Sequence, residues 1–176
     1  MAGLIQLYAK LKLRVNPAKS AVARARDRSF LGYSFWYAPG KIVKRRVAPK
    51  ALEKMKERVR GITSRSGGRS LPQVVALLRS YLAGWKAYFR LADTPKILAD
   101  VDKWLHRRLR MLVLRQWKRG RTMYRELQRR GVDGAALGIA ARFGRSWWHV
   151  AAHKALHIAL AGRYFESLGV PRLGPS

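Results

Sequence analysis

The segment from Gly84 to Arg110, GWKAYFRLADTPKILADVDKWLHRRLR, is the most informative part of the sequence. It contains two amphipathic segments separated by Thr94-Pro95, and threonine followed by proline is a typical helix start. Thr94-Pro95 therefore predicts the start of a helix of about 24 residues. Because consecutive residues of a helix are rotated by about 100°, its side chains divide into an apolar and a basic face. The apolar face consists of Leu98, Val101, Leu105, Leu109 and Leu112, and the opposite face of Lys103, Arg107, Arg110 and Lys118.

Two further helices are predicted upstream. Pro49 opens the first, in which Leu52, Met55, Val59 and Ile62 recur at steps of three and four residues. Ser70 followed by Gln73 is a capping-box pattern and marks the start of the second. The second helix has a basic flank of Arg79, Lys86 and Arg90 and a broad apolar face of Val74, Leu78, Tyr81, Leu82, Trp85, Tyr88 and Phe89.

The two ends of the chain complete the predicted fold, which is mostly α. Near the N-terminus, FLGYSFWY from Phe30 and IVKRRV from Ile42 flank Pro39-Gly40, a pattern that predicts a β-hairpin. After the long helix, Gly120 and Gly131 bracket a short basic helix. Two more helices are predicted, one from Asp133 to about Phe143 and one from Ser146 to Leu168.

The charge of the chain indicates a polyanionic partner. There are 38 Lys and Arg against 9 Asp and Glu, a net charge of +29, and the segment 101–130 alone carries eleven basic and two acidic residues. Solvated helix faces usually mix both signs, because pairs four residues apart stabilise a helix. Six Trp, seven Tyr and five Phe interspersed with the basic residues favour nucleic acid, and the abundance of Arg suits folded RNA.

Composition also narrows the class of protein. The absence of cysteine excludes disulfides and Cys-based zinc sites. The N-terminus lacks a signal-peptide pattern, and charged residues interrupt the apolar region 147–168, so we expect an intracellular, cytoplasmic protein without a membrane span. No phosphate-binding glycine loop and no nucleophilic motif are present, and we expect no cofactor.

Several motifs resemble those of group II intron reverse transcriptases, also called maturases. Phe30-Leu31-Gly32-Tyr33 is similar to the FLGF-like palm strand of that family, and LKLRVNPAKS, residues 11–20, to the segment after its catalytic motif. The segment 63–110 is the most distinctive, because it contains the GW-x-x-YF and D-x-W-x-x-R-R-L-R patterns. Gln116-Trp117-Lys118 and the segment 144–160 are similar to the helical region called domain X.

The resemblance implies a division into three regions and a role in RNA binding. Residues 1–48 would be a remnant of the reverse-transcriptase palm with the hairpin, 49–119 a three-helix thumb and maturase-specific unit, and 120–176 a helical domain-X-like unit. Packing of the motif is assigned to Gly84, Trp85, Tyr88, Phe89 and Trp104, together with Asp102. Candidate RNA contacts, from the resemblance and the basic pattern together, are Lys44, Arg45, Arg46, Arg65, Arg69, Lys86, Arg90, Lys103, Arg107, Arg108, Arg110, Arg115, Gln116, Lys118, Arg119 and Arg121.

The chain departs from the full family pattern because it has no YADD-type motif. A two-metal polymerase needs converging carboxylates, and Asp100 and Asp102 point about 200° apart on a helix. We therefore expect a fragment that is no enzyme and that binds group II intron RNA or another structured RNA to assist folding and splicing. Two alternatives stay open: part of a split polymerase that needs a separate reverse-transcriptase chain, and a nonspecific basic binder of nucleic acid, DNA included.

A histidine pattern and a tryptophan pair each allow a functional and a structural interpretation. His149, His153 and His157 are four residues apart and would align on one helix, a geometry that zinc can use. No carboxylate is close in sequence, so packing or solvent exposure is favoured and no metal site is predicted. Trp147 and Trp148 could stack on bases, but at least one is expected to pack in the core.

Overall fold

The computed structural model describes residues 2–14, 16, 22–64, 67–134, 138 and 146–175. It confirms a mostly helical protein with a small antiparallel sheet near its N-terminus. Helix α1, Ala2–Lys10, comes first and is exposed along its described side chains. Three strands follow, β1 at Ser29–Phe30, β2 at Tyr33–Ala38 and β3 at Ile42–Val47.

The predicted hairpin is confirmed as β2 and β3, which pair antiparallel from Tyr33 with Val47 to Ala38 with Ile42. Gly40 has a φ of 81°, a left-handed conformation that glycine adopts without a steric penalty, and this permits the tight turn. The sheet is joined to the helices through aromatic contacts. Tyr33 donates its hydroxyl to the carbonyl of Tyr88 at 2.7 Å, and Phe89 packs over Gly32.

Three helices form the centre of the molecule: α2 at Pro49–Ile62, α3 at Leu71–Tyr88 and α4 at Pro95–Trp117. The capping box of α3 is confirmed by the Ser70 amide, which donates to Gln73 Oε1 at 2.9 Å. Pro95 opens α4 as predicted, but Thr94 makes no side-chain capping bond. Its Oγ1 is instead buried without a hydrogen-bond partner among the described residues.

Beyond α4, the described helices are short. Helix α5 spans Gly120–Gln128 between the two predicted glycines. The helix predicted from Asp133 to about Phe143 lies mostly outside the described residues. The single helix predicted from Ser146 to Leu168 is wrong, because three helices occupy that range: α6 at Trp147–Val150, α7 at Lys154–Ala159 and α8 at Gly162–Ser167.

Extended residues separate these short helices. His153 has a ψ of 144° and Ala161 a ψ of 161°, so neither continues a helix. The backbone groups released at the breaks find other partners: the His153 ring accepts from the Ala155 amide at 3.2 Å, and Arg110 on α4 donates to the carbonyls of Ala151 and Leu160. Periodicity does not show these breaks, because the carbonyls of Ala151 and Leu160 are satisfied by Arg110, which is more than forty residues away.

A continuous hydrophobic core joins the central helices to the C-terminal ones. The apolar side chains of α2, α3 and α4 pack together with those of α5 to α8, and Phe165 is fully buried. Asp102 on α4 binds residues 173–174, because its carboxylate accepts hydrogen bonds from the amides of Leu173 and Gly174. The predicted boundaries at 48 and 119 stay predictions. None of the described helices is both long and apolar enough to cross a bilayer.

Candidate nucleic-acid interface

The two arginines predicted to stand opposite the leucine face of α4 point into the protein. Arg107 Nε donates to the Trp148 carbonyl at 3.0 Å, and its guanidinium lies 4.1 Å from the Trp148 ring centroid. Arg110 is only 4% exposed and donates to the carbonyls of Ala151 and Leu160. The expected open basic face is therefore wrong at Arg110, because α6 and α7 cover that side of α4.

Burial changes the acid–base chemistry of Arg110. Loss of solvent, with a smaller contribution from the charge of Arg107, lowers the pKa of Arg110 to about 10. The residue still carries its charge at neutral pH and donates to the carbonyls at the ends of α6 and α7. Arg110 is thus a structural cation that fixes the C-terminal helices on α4.

Other predicted contact residues are also engaged within the fold. Lys86 donates to the Arg172 carbonyl at 2.7 Å, and Arg46 donates to Ser34 Oγ at 2.9 Å. Lys103 pairs with Asp100 at 3.0 Å, although both side chains are exposed. Lys44 lies 5.9 Å from the ring centroid of Trp36, its cross-strand neighbour.

Arg45 and Asp93 connect the hairpin to the turn before α4. The Arg45 side chain approaches the Asp93 carboxylate to 3.3 Å, and its backbone amide donates to the same oxygen at 3.0 Å. That backbone hydrogen bond, followed by the side chain and its charge, lowers the pKa of Asp93. This pair therefore belongs to the fold as well as to the basic surface.

A second group of cations surrounds Trp104 between α2 and α4. The Nζ of Lys56, the Cζ of Arg60 and the Cζ of Arg108 lie 5.7, 5.8 and 5.7 Å from the centroid of its ring. Arg115 follows Arg108 by seven residues, close to two helical turns, and so faces the same side of α4. We call this group the Trp104 cluster: Lys56, Arg60, Trp104, Arg108 and Arg115.

The Trp104 cluster holds its cations without acidic partners. Burial, then the charges of Arg60 and Arg115, lowers the pKa of Arg108. Five ion pairs join described residues to one another, and none of the five includes a cation of the cluster. Lys56 and Arg60 were not predicted from the sequence. The spacing of Trp104 and Arg108, one turn apart on α4, was the available signal, but it does not reveal which face of α2 lies opposite.

A third group of cations lies on α5 and the turn before it. Lys118, with a φ of 56°, ends α4, and exposed arginines then recur at Arg121, Arg125 and Arg129. Four-residue spacing places those three along one face of the helix. We call these residues the α5 row: Lys118, Arg119, Arg121, Arg125 and Arg129. Tyr124 beside the row is 41% exposed.

The acidic residue of α5 lies on the flank of the row. Glu126 is bound by Arg130 at 2.6 Å and approached by Arg129 at 3.7 Å. The hydrogen bond from Arg130 is the largest cause of a lowered pKa at Glu126. Arg121 and Arg125 form no ion pair with a described carboxylate, so the row stays strongly positive. Sequence reasoning identified its first three members and missed Arg125 and Arg129.

The remaining predicted contacts are distributed over the surface. Arg90 and Gln116 are exposed on α3's C-terminal side and at the end of α4. Arg69 lines a groove between α2 and α3 together with Arg58, Ser80 and Tyr81. Burial raises the pKa of Tyr81, against the opposing charge of Arg58. Arg65 lies outside the described residues.

The five motif residues assigned to packing have different environments. Phe89 is buried, and Trp85 packs against it with ring centroids 4.7 Å apart. Trp104 is half-buried. Tyr88 is 55% exposed, although its hydroxyl donates to the Leu31 carbonyl. The packing role expected for Gly84 is wrong, because Gly84 is exposed and nothing lies within 4 Å of where a side chain would begin.

The histidine pattern does not align three imidazoles. His153 lies between α6 and α7 and caps α7, so the helical spacing from His149 to His157 is broken. Within the described part of the chain, no group of three metal-binding side chains is close enough to hold an ion. Trp147 and Trp148 are half-buried and pack against the core.

One known protein family matches the part of the chain that carries these surfaces. Residues 52–131 match the family model for the group II intron, maturase-specific domain, a range that runs from α2 to the turn after α5. Over these residues, the match supports the C-terminal region of a group II intron maturase. Both the Trp104 cluster and the α5 row lie within the matched range. None of the curated proteins compared with the chain matches it.

Proposed function

We propose that the chain is a maturase module that binds group II intron RNA and helps that RNA reach or hold its splicing-competent fold. The observation that carries the proposal is the α5 row, an exposed series of five cations inside the matched maturase-specific domain. A polyphosphate backbone is the partner that such a row fits, because each phosphate neutralised releases a counterion. We also propose that the protein acts inside a bacterial cell, where the intron would be transcribed.

The module would act through binding energy, while the RNA supplies the chemistry. A protein shifts the equilibrium between two RNA folds only by the difference in its affinity for them. Phosphate contacts by the α5 row would provide affinity, and selectivity would come from the shape of the RNA and its unpaired bases. Binding alone is therefore insufficient, and the active fold must bind more tightly than its competitors.

We infer that the chain has no polymerase activity of its own. Its aspartates support this inference because four of them are committed to protein contacts: Asp27 lies near Arg26, Asp93 binds Arg45, Asp100 binds Lys103, and Asp102 binds the chain end. A two-metal mechanism needs carboxylates that converge on ions about 3.5–4 Å apart. Asp93 and Asp102, which are engaged with Arg45 and with the amides of residues 173–174, are poorly suited to that role.

A second candidate function, association with a separate catalytic chain, is favoured by the exposed hairpin. Large apolar side chains are uncovered there, with Tyr37 53%, Ile42 58% and Val43 54% exposed. Apolar surface of this kind on one sheet favours a protein partner. Restoration of primer extension on mixing with a chain that carries a YADD motif would support this function, and no extension would exclude it for that pair.

The test of the maturase proposal compares two RNAs. Equilibrium binding to a group II intron and to an unrelated folded RNA of equal length is measured at moderate salt, together with splicing of the intron. We expect tighter binding to the intron and faster splicing when the protein is added. Equal affinities with no effect on splicing would contradict the proposal and favour a general nucleic-acid binder.

A further inference from the structure

The Trp104 cluster is an assembly of like charges that the fold alone does not explain. Three cationic groups lie within 5.8 Å of one ring centroid, and the indole is shared among them. A cation over an aromatic ring is attracted by the negative face of that ring, but a second and third cation repel the first. Within the described residues, no carboxylate pairs with any of them.

Arg108 is oriented by a contact inside the protein. Its Nε donates to Thr63 Oγ1 at 2.9 Å, and Thr63, which is fully buried, donates in turn to the Val59 carbonyl at 2.7 Å. These two hydrogen bonds hold the guanidinium of Arg108 at the end of α2. The two terminal nitrogens make no hydrogen bond within the described part of the chain. They are therefore held in place and available to donate two parallel hydrogen bonds to a phosphate, a geometry we call the fork.

Lys56 and Arg60 complete the arrangement from the opposite helix. They are one turn apart on α2 and approach the same ring as Arg108 on α4. An anion between the helices would meet charge from both sides. Trp104 is already covered by cations, so it serves better as the support that spaces them than as a free platform for a base.

We propose that the Trp104 cluster holds a backbone phosphate of the bound RNA, gripped by the terminal nitrogens of Arg108 and neutralised by Lys56 and Arg60. The inference rests on the proposed function in one respect, namely that RNA is the polyanion. The site is separate from the α5 row and adds α2 to the RNA-binding surface. The shared chemistry is that of a phosphate group, and free inorganic phosphate is the alternative source.

The first arm of the test measures RNA binding as a function of salt. The variant Lys56→Gln/Arg60→Gln is compared with Lys50→Gln/Lys54→Gln, which removes the same charge at the same spacing about 120° away around α2. We expect the slope of log Kd against log salt to fall by about 1–2 in the first variant and to change less in the second. Urea unfolding of both variants checks that the fold is intact.

The second arm separates RNA from free phosphate and tests the fork of Arg108. Thermal melting of the wild type and of Lys56→Gln/Arg60→Gln, in inorganic phosphate and in chloride at equal ionic strength, shows whether a free anion occupies the site. Arg108→Lys keeps the charge but removes the fork, and we expect it to weaken RNA binding about tenfold. Rescue of affinity to the wild-type value by lysine would overturn the bidentate grip.

The outcomes are distinguishable from those for the maturase function. Equal salt slopes for the two α2 variants would overturn the phosphate site, even if intron RNA is still preferred. Stabilisation by inorganic phosphate that depends on Lys56 and Arg60, without any change in the RNA slope, would also overturn it as an RNA contact. A reduced slope on both intron and unrelated RNA would support the site, whereas equal affinity of the wild type for the two RNAs would contradict intron specificity.

Discussion

At the scale of single residues, arginine side chains of α4 lie in two different environments. Arg110 is buried and donates to main-chain carbonyls, whereas Arg115, five residues later, belongs to the Trp104 cluster. Sequence cannot separate these roles, because both residues lie in one uninterrupted basic helix. Only the covering of α4 by α6 and α7 decides which arginine becomes structural.

Replacement of Arg110 by methionine tests the structural role. The substitution keeps much of the side-chain volume but leaves the carbonyls of Ala151 and Leu160 without their donor, so we expect a loss of about 2–4 kcal/mol in the free energy of unfolding. Urea denaturation measures it. Arg115→Met is the matched control and should change stability by less than about 0.5 kcal/mol. Equal effects of the two substitutions would contradict the assignment.

His106 makes the stability of the fold depend on pH. The ring stacks on Phe165 at 5.9 Å, and burial lowers its pKa below the ordinary value of 6.5, against the opposing charge of Asp102. The unfolded chain then takes up the proton first as pH falls. The contribution of neutral His106 to stability is complete above about pH 6.5 and is lost as the pH falls from there through the folded pKa.

The measurement is the free energy of unfolding between pH 7.5 and about pH 5. The wild type should lose stability over this interval, and His106→Gln should flatten the dependence. His157, whose pKa burial also lowers, contributes in the same direction and leaves a residual slope. An unchanged profile in His106→Gln would show that the ring does not carry the effect.

At the scale of helices and strands, local signals were reliable wherever neighbouring residues decide the conformation. The hairpin around Pro39-Gly40, the capping box at Ser70 and the proline start of α4 all follow from short-range geometry. The prediction of one helix over 147–168 failed, because Arg110 on another helix donates to the carbonyls at the ends of α6 and α7. The alanine-rich sequence of this segment favours a helix, so only tertiary contacts could reveal the three short ones.

Two glycines in helices provide a contrasting pair of substitutions. Gly84 in α3 has open space around it, so Gly84→Ala should stabilise the protein by about 0.5–1 kcal/mol through helix propensity. At Gly162, which begins α8, a Cβ would come within 2.8 Å of the His106 ring, so Gly162→Ala should cost about 1–3 kcal/mol. Thermal or urea unfolding measures both. The same sign of effect at both positions would contradict the packing described between α4 and α8.

At the scale of the whole molecule, the sequence predicts that the surface is strongly basic better than it predicts which cations form the candidate site. A net charge of +29 and a maturase-type motif already indicate a polyanion-binding helical protein. The candidate site, by contrast, was only partly predictable. Lys118, Arg119 and Arg121 are exposed on the α5 row, but Arg110 is buried, and Lys56 and Arg60 join from a helix that the pattern did not implicate.

The division between structural and exposed cations has a physical origin. A helix such as α4, buried on several sides over residues 109–114, uses arginine to satisfy carbonyls of its neighbours. The short helix α5 is covered on one side only, through Met123 and Leu127, and its arginines are left to solvent. RNA contacts are therefore expected where the core ends.

The most direct measurement is the affinity of the α5-row variant Lys118→Gln/Arg121→Gln/Arg125→Gln for group II intron RNA at moderate salt. The control is Lys10→Gln/Lys12→Gln/Arg14→Gln, which removes three exposed cations outside the matched domain. We predict a loss of at least about tenfold in affinity for the α5-row variant, a salt slope lower by about 2–3, and an unchanged free energy of unfolding. Equal affinities of the two variants for the intron would contradict the account.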